Sequence, residues 1–258
     1  MFSCFISFQA VVKMAAVEDE AVLSQHSNVD ESDWVPLKLT LVEYPRGDWL
    51  GKILALTSLS PFGILSGFVA LILFRRDIHT VVFFFGTMLN ELLNQLLKYA
   101  ICEPRPIQRN YIYQEYGMPS AHSQFMWFFA TYVIYFVFIR LHHMNNNTTL
   151  ENVWKTVIVS SCVSLATIVS ISRVYLQYHT WRQVFCGAVV GFLFGSMWFA
   201  ATYFLFTPFF PIVVSWRISE LLLLRDTTLI PNVLWFEYKN TRQEARLRGR
   251  KLVSMKSQ

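Results

Sequence analysis

Five long runs of apolar residues place the strongest limit on how this chain folds. They cover residues 49–74, 78–101, 123–141, 153–171 and 184–206. Each run is close to the roughly 20 residues that an α-helix needs to cross a hydrocarbon core about 30 Å thick. Charged residues make up 15% of the chain, whereas soluble domains carry about 25%. The sequence therefore predicts an all-α, polytopic membrane protein, a helical bundle with five or six transmembrane helices.

The polar stretches outside these runs divide the chain into three parts. We expect a disordered, acidic N-terminal segment at 1–33, a transmembrane domain at 34–225 and a basic C-terminal tail at 226–258. Residues 207–225 contain two prolines and several charges, so they fit either a sixth, broken span or a segment at the membrane surface. The basic tail fits contact with anionic lipid or a cytoplasmic location, and we expect no nucleic acid partner.

The second apolar run carries a polar face. Asn90, Asn94 and Lys98 recur every four residues, so they share one side of a helix. A charged side chain at the bilayer centre costs about 2.5–3.5 kcal/mol. We therefore expect this face to point toward other helices or a wet cavity, where the amides either join helices or serve a site.

Glycines repeat at helical spacing in the fifth run. Gly187, Gly191 and Gly195 form a GxxxGxxxG series, which lets two transmembrane helices approach closely. The fourth run offers a matching face of small residues at Ser160, Ser164 and Thr167. We expect the fourth and fifth helices to pack on each other through these faces.

Three short polar stretches stand at the ends of apolar runs. They read KYAICEPRP at 98–106, PSAH at 119–122 and SRVYLQYH at 172–179. Because consecutive membrane helices alternate in direction, all three stretches are expected at the same face of the membrane. This brings together six side chains with useful chemistry: Lys98, Arg105, Ser120, His122, Arg173 and His179.

This set of side chains suits the binding of a phosphoryl group. Three permanent cations can neutralise its charge, and Arg does so with a planar fork of donors. The PSAH stretch begins a helix, where free backbone N–H groups favour an anion. The two histidines can supply a nucleophile and a proton donor. No cluster of carboxylates accompanies them, so we expect neither a metal ion nor another cofactor.

The pattern K-x6-RP, PS-x-H and SR-x5-H resembles the signature of the type-2 phosphatidic acid phosphatase superfamily. The stretches VEYPRGD, YGMPSAHSQFMWFF and RDTTLIPNVLWFEY further resemble members of that family that act on dolichyl diphosphate. The resemblance implies hydrolysis of this polyprenyl diphosphate lipid to dolichyl phosphate and phosphate, in the endoplasmic reticulum membrane, which recycles the carrier for protein glycosylation. The alternatives are another lipid substrate, such as phosphatidic acid or a different polyprenyl diphosphate, and lipid phosphate binding without catalysis.

The resemblance also implies a role for each site residue. His179 would attack phosphorus and carry the phosphoryl group, and His122 would protonate the leaving group. The phosphoryl oxygens would be held by Lys98, Arg105, Ser120, Ala121 and Arg173.

Two positions depart from the family pattern. Ala121 stands where many members have Gly, and a small residue with a backbone N–H suffices there. Gln183 stands where the family usually has an Asp, four residues after the nucleophile. We expect the side-chain oxygen of Gln183 to orient His179 by accepting the proton on one ring nitrogen. Two alternatives are that Gln183 only caps the fifth helix, and that Glu103 or Glu115 supplies the missing charge.

Basic residues predict the orientation of the bundle. Arg75, Arg76, Arg140 and Lys155 lie in loops on the face opposite the three polar stretches. Loops rich in Lys and Arg stay in the cytoplasm. We therefore expect the site to face the lumen, and the glycosylation sequons at 146–149 to be cytoplasmic and unused.

Overall fold

Five helical spans form the framework of the protein. The computed structural model describes residues 34–36, 42–106, 116–140, 148–228, 230 and 233–256, so the predicted N-terminal segment at 1–33 lies outside the described residues. Within the described ranges, five helical segments are long and apolar enough to cross a membrane. The predicted all-α membrane fold is confirmed. Spans 1 to 5 are Trp49–Phe74, Ile78–Ile101, Ala121–Arg140, Glu151–Tyr175 and Trp181–Val214.

Span 1 is divided into two helices, Trp49–Thr57 and Ser60–Phe74. The interruption precedes Pro61, which has no N–H group to donate and whose ring crowds the carbonyl group of Thr57. The helix is therefore broken before this proline. The break leaves the backbone of Ser58 available for a contact with another span.

The other spans are more regular. Span 2 is one helix, Ile78–Ile101, and span 4 belongs to a longer helix, Thr148–Tyr175. Span 3 consists of Ala121–Tyr135 followed by a wider helical turn at Phe136–Arg140. Outside the spans, the structure has an antiparallel strand pair and two more helices: Trp34–Pro36 with Glu43–Pro45, Arg217–Leu221 and Val233–Lys256.

Residues 207–225 do not form a sixth span. Span 5 runs as a helix over Trp181–Ala200 and continues through altered helical turns to the segment Phe210–Val214. Pro208 and Pro211 occupy first turns of these segments, where a backbone N–H has no helical partner to lose. Residues 207–214 therefore lengthen span 5, and Arg217–Leu221 form a separate short helix.

The glycine series of span 5 packs against span 3. A methyl group added at Gly187 would lie 2.7 Å from the carbonyl oxygen of Ser120, and one added at Gly195 would lie 3.0 Å from that of Phe128. The prediction that the fourth helix is the partner is therefore wrong. A glycine series requires a close backbone, but it does not specify which helix provides that backbone.

Span 3 lies between spans 4 and 5 and carries the packed core on two sides. One side joins span 4 through a buried apolar cluster, and the other joins span 5 through an aromatic cluster. The central members of these clusters are Phe125, Met126, Ala166 and Val169 on the first side, and Phe128, Tyr132, Trp198 and Phe199 on the second.

A set of polar contacts ties the beginning of span 2 to the chain that follows span 5. Asp77 pairs with Arg225 through the backbone, and the Thr227 hydroxyl donates to Oδ1 of Asp77 at 2.7 Å. Arg75 forms a salt bridge of 2.8 Å with Glu237 in the C-terminal helix. We call this set, Arg75, Asp77, Arg225, Thr227 and Glu237, the clasp. It places the C-terminal helix at the same face of the bundle as Arg75.

Candidate active site

The three polar stretches meet at the face of the bundle opposite the clasp. Lys98 lies in the last turn of span 2, Ser120 immediately precedes span 3, and Arg173 lies in the last turn of span 4. His179 follows in the short connection to span 5. These four residues are buried, with exposed fractions of 4%, 0%, 5% and 6%. Segments far apart in sequence therefore form one enclosed polar site.

The two histidines share the same set of neighbouring cations. Lys98, Arg105 and Arg173 lie within electrostatic range of both His122 and His179, and the two rings lie within range of each other. Burial, and then the charges of Arg105 and Arg173, lower the pKa of His179 from 6.5 to about 3. His179 is therefore a neutral imidazole near pH 7, with a lone pair on one ring nitrogen.

The start of span 3 offers donors to an anion. Ser120 occupies the N-cap position, but its hydroxyl does not cap the helix, and its buried Oγ has no partner within the described part of the chain. A buried hydroxyl without a partner costs about 1–3 kcal/mol. The N–H groups of Ala121 and His122 have no acceptor inside the helix, and the positive end of the helix dipole lies beside them. These groups together suit the oxygens of a phosphoryl group.

A buried chain of amides fixes the start of span 3 against span 2. Asn94 donates from Nδ2 to the carbonyl oxygen of Pro119 at 3.3 Å and to Oε1 of Gln124 at 2.8 Å. Gln124 in turn donates from Nε2 to the carbonyl oxygen of Asn90 at 2.9 Å. Asn90 and Asn94 are 1% and 0% exposed, so the polar face predicted for the second helix does point into the bundle. It holds the PSAH turn at the level of Lys98.

The side-chain amide of Gln183 contacts the ring of His179. Its side-chain oxygen lies 3.1 Å from Nδ1 of His179. Its amide nitrogen donates to Oε1 of Glu103 and to the carbonyl oxygen of Pro104, each at 2.9 Å. Both partners can only accept a hydrogen bond. If the oxygen and nitrogen of the Gln183 amide were exchanged, the amide oxygen would face the oxygens of Glu103 and Pro104. Nδ1 of His179 must then carry the proton, and Nε2 keeps the lone pair.

Gln183 also caps span 5. Thr180 accepts the Gln183 backbone N–H at its hydroxyl, and the Gln183 side-chain oxygen accepts the Thr180 N–H, each at 3.3 Å. Gln183 thus both caps the helix and contacts His179, as two of the sequence interpretations propose, while Glu103 binds Gln183 rather than the ring itself. Glu115 lies outside the described residues.

Residues that the sequence analysis did not select hold the third stretch in place. The hydroxyl of Tyr178 accepts the backbone N–H of Glu43 at 2.9 Å, and its ring lies 5.3 Å from the guanidinium of Arg173. Arg173 also donates to the carbonyl oxygen of Ser58, in the break of span 1, at 3.4 Å. The VEYPRGD stretch and the proline of span 1 were the signals of this support in the sequence.

Comparisons with known proteins show which family and which fold the chain resembles. Residues 79–207, which include the whole site, match the family model described as the PAP2 superfamily. Dolichyldiphosphatase 1 of Rhinolophus ferrumequinum is 52% identical to the chain, and that of Homo sapiens is 50% identical; each match covers 86% of this chain and 94% of the relative. A crystal structure of a transmembrane PAP2-type phosphatidylglycerolphosphate phosphatase from Bacillus subtilis is similar in fold, with a TM-score of 0.50 and 19% identity, over 62% of this chain and 80% of that chain.

Proposed function

The chain belongs to the PAP2 superfamily, and on that premise we propose that it is a membrane-embedded phosphatase that hydrolyses dolichyl diphosphate. The products are dolichyl phosphate, which stays in the bilayer, and inorganic phosphate. The observation that carries the proposal is a buried neutral imidazole, His179, with the lone pair of Nε2 available among three cations. A site that only bound a lipid phosphate would have no use for such a nucleophile.

The first step transfers the phosphoryl group to the protein. Nε2 of His179 attacks the terminal phosphorus, and the bond from that phosphorus to the bridging oxygen breaks. The bound diphosphate offsets the charge of the three cations, so His122 takes up a second ring proton, which it donates to this oxygen as dolichyl phosphate leaves. Lys98, Arg105 and Arg173 neutralise the oxygens of the transferring group, where most of the transition-state charge lies.

The second step returns the protein to its starting state. His122, now without its proton, accepts one from a water molecule as that water attacks the phosphorus. The bond between phosphorus and Nε2 of His179 breaks, phosphate leaves, and His122 is again protonated for the next cycle. Ser120 and the N–H of Ala121 hold the phosphoryl oxygens in both steps, while Gln183 keeps the proton on Nδ1 of His179.

The position of the site suits a substrate with a very long hydrocarbon chain. The outer surface of the bundle carries exposed apolar side chains, for example Phe85, Leu92 and Leu96 on span 2. The polyprenyl chain can remain in the membrane beside such a surface while the diphosphate enters the polar site at one end. This activity recycles the lipid carrier that protein N-glycosylation uses.

We place the protein in the endoplasmic reticulum membrane with the site facing the lumen. Arg75, Arg76 and the basic C-terminal helix lie at the clasp face, and positively charged flanks stay in the cytoplasm. Cys102 is a free and exposed thiol at the opposite face, beside the site. In sealed microsomes, a membrane-impermeant maleimide should label Cys102 only after the membrane is permeabilised. Labelling of intact vesicles that is lost in Cys102→Ser would reverse the orientation.

The activity itself is tested by phosphate release from dolichyl diphosphate with the purified full-length protein in detergent. His179→Ala should abolish release, and His122→Ala should reduce it by about 100-fold or more. His79→Gln is a matched control, because His79 is also a buried histidine but contacts Tyr132 at 3.1 Å, toward the clasp face. Release that survives in His179→Ala contradicts the mechanism.

The lipid specificity needs a separate comparison. The values of kcat/KM for dolichyl diphosphate, a shorter polyprenyl diphosphate and phosphatidic acid should be highest for dolichyl diphosphate. A higher value for phosphatidic acid would reassign the substrate while leaving the chemistry in place. A protein that binds these lipids and releases no phosphate would be a lipid-phosphate-binding protein.

A further inference from the structure

Glu103 is linked to the nucleophile through a single amide. Its Oε1 accepts from Nε2 of Gln183 at 2.9 Å, and the oxygen of the same amide lies 3.1 Å from Nδ1 of His179. We infer that Glu103 is a positioning residue whose negative charge acts on His179 through Gln183, in place of a carboxylate in direct contact with the ring. The inference rests on the proposed role of His179 as nucleophile.

The backbone holds this link in place. The N–H of Gly117 donates to the carbonyl oxygen of Glu103 at 2.6 Å. A methyl group at Gly117 would lie 2.8 Å from Nε2 and 2.9 Å from Oε1 of Gln183. The amide is therefore confined between the chain that leaves span 2 and the chain that enters span 3, with Pro104 occupying its second N–H.

The link matters most when the ring becomes positively charged. Phosphorylation at Nε2 while Nδ1 keeps its proton leaves a cationic imidazole ring, and its charge is shared by both nitrogens. A carboxylate that accepts from the amide nitrogen polarises the amide and makes its oxygen a stronger acceptor for the Nδ1 proton. No proton travels along the link. Glu103 stabilises the phosphohistidine by charge and fixes the direction of Nε2 through Gln183.

The first test removes the charge and keeps the shape. Glu103→Gln retains an oxygen that can accept from Gln183 but removes the negative charge. Because the charge is lost, we expect kcat for dolichyl diphosphate to fall about ten-fold with little change in KM. Glu91→Gln is the matched control, because Glu91 is also partly buried and accepts from a glutamine amide, Gln95, at 2.9 Å. Wild-type kcat in Glu103→Gln, or an equal loss in Glu91→Gln, overturns the inference.

The second test moves the charge to the neighbouring position. Gln183→Glu alone places two carboxylates side by side, which disfavours both charges, so its kcat should also fall. The double variant Glu103→Gln with Gln183→Glu has one carboxylate again, now in direct contact with His179. We expect its kcat to exceed that of either single variant by several-fold. A purely structural role predicts that the two losses accumulate, and that result would refute the charge effect.

A third test displaces the amide and leaves both of its partners unchanged. In Gly117→Ala, the new methyl group meets the end of the Gln183 side chain rather than backbone, so the side chain must turn away. The kcat of Gly117→Ala should match that of Gln183→Leu. Adding Glu103→Gln to either variant should cause no further loss of kcat. If Glu103→Gln has its full effect in the Gln183→Leu background, Glu103 does not act through Gln183.

Binding of orthovanadate gives a reading that does not depend on turnover. Vanadate takes the five-coordinate geometry of the transferring phosphorus, and its bond to Nε2 would place positive charge on the ring of His179. Its affinity, measured by calorimetry, should fall about ten-fold in Glu103→Gln and remain unchanged in Glu91→Gln. Failure of the wild type to hydrolyse dolichyl diphosphate would refute the proposed function alone, whereas equal vanadate affinity in wild type and Glu103→Gln would refute the role of Glu103 alone.

Discussion

Replacing Gly187 by Ala tests how closely the activity depends on the position of the PSAH turn. The added Cβ would lie 2.7 Å from the carbonyl oxygen and 3.3 Å from the nitrogen of Ser120. Ordinary contact begins at 3.4 Å, so the shorter distance must increase by about 0.7 Å. The obstructing atom belongs to the backbone and cannot rotate aside. The start of span 3 must therefore move relative to span 5.

That movement displaces the groups that hold the phosphoryl oxygens relative to His179. A misplacement of about 1 Å in an active site costs on the order of 100-fold in rate, so we expect kcat of Gly187→Ala to fall between about ten-fold and 100-fold. Overpacking of this kind also costs about 1–3 kcal/mol of stability. Because the remaining protein stays folded in the assay, the fall in kcat should be larger than the fall in the amount of folded protein.

Gly195→Ala is the control for this prediction. Its Cβ would lie 3.0 Å from the carbonyl oxygen of Phe128, about 12 Å further along span 5 from the site. The assay is phosphate release at saturating dolichyl diphosphate, with thermal unfolding of each variant measured in the same detergent. Gly195→Ala should lose stability and keep its kcat. Wild-type kcat in Gly187→Ala, or an equal loss of kcat in both variants, would refute the reasoning.

Three further predictions follow from the site and its orientation. Because burial, Arg105 and Arg173 lower the pKa of His179 to about 3, its ring should stay neutral well below the ordinary histidine pKa of about 6.5. An NMR titration of the His179 ring checks this, and protonation near pH 6.5 contradicts the neutral ring. Catalysis should continue in the presence of a chelator and be inhibited by vanadate. The reason is that the site presents cations to the phosphate, and the described residues contain no group of three or more metal-binding side chains. Activity that is lost with chelator and restored by magnesium contradicts this prediction. In cells, the sequons at 146–149 should carry no glycan, and a glycan found there by mass spectrometry would reverse the proposed orientation.

The spans and the meeting of the three polar stretches could be predicted from the sequence because they depend on local properties. Apolar length determines a span, and alternation of helix direction brings Lys98, Ser120 and His179 to one face. The sequence names Glu103 only as one of two candidate carboxylates, and it does not predict the contact between Glu103 and Gln183. These two residues are separated by 80 positions, and a single carboxylate after a helix end has the pattern of an ordinary surface charge.

The partner of the glycine series was mispredicted for a related reason. Gly187, Gly191 and Gly195 determine how closely a neighbouring backbone can approach. The sequence of span 4 also contains small residues that would allow such an approach. Span 3 provides the close backbone and also joins span 5 through an aromatic cluster. Phe128 and Tyr132 pack against Trp198 and Phe199, and this complementarity of shapes is not visible in either helix alone.

The contacts of the clasp can form only late in the synthesis of the chain. Asp77 binds the hydroxyl of Thr227, and the carbonyl oxygen of Arg75 accepts from the side chain of Arg225. In each pair, the first residue leaves the ribosome 150 residues before the second. At about 5–20 residues per second, this delay lasts on the order of 8–30 s. During that time the growing chain acquires every residue of the catalytic face, while the opposite face still lacks its closing contacts. A nascent chain halted just after span 5 would therefore carry the complete chemistry in a bundle that is still open at one end.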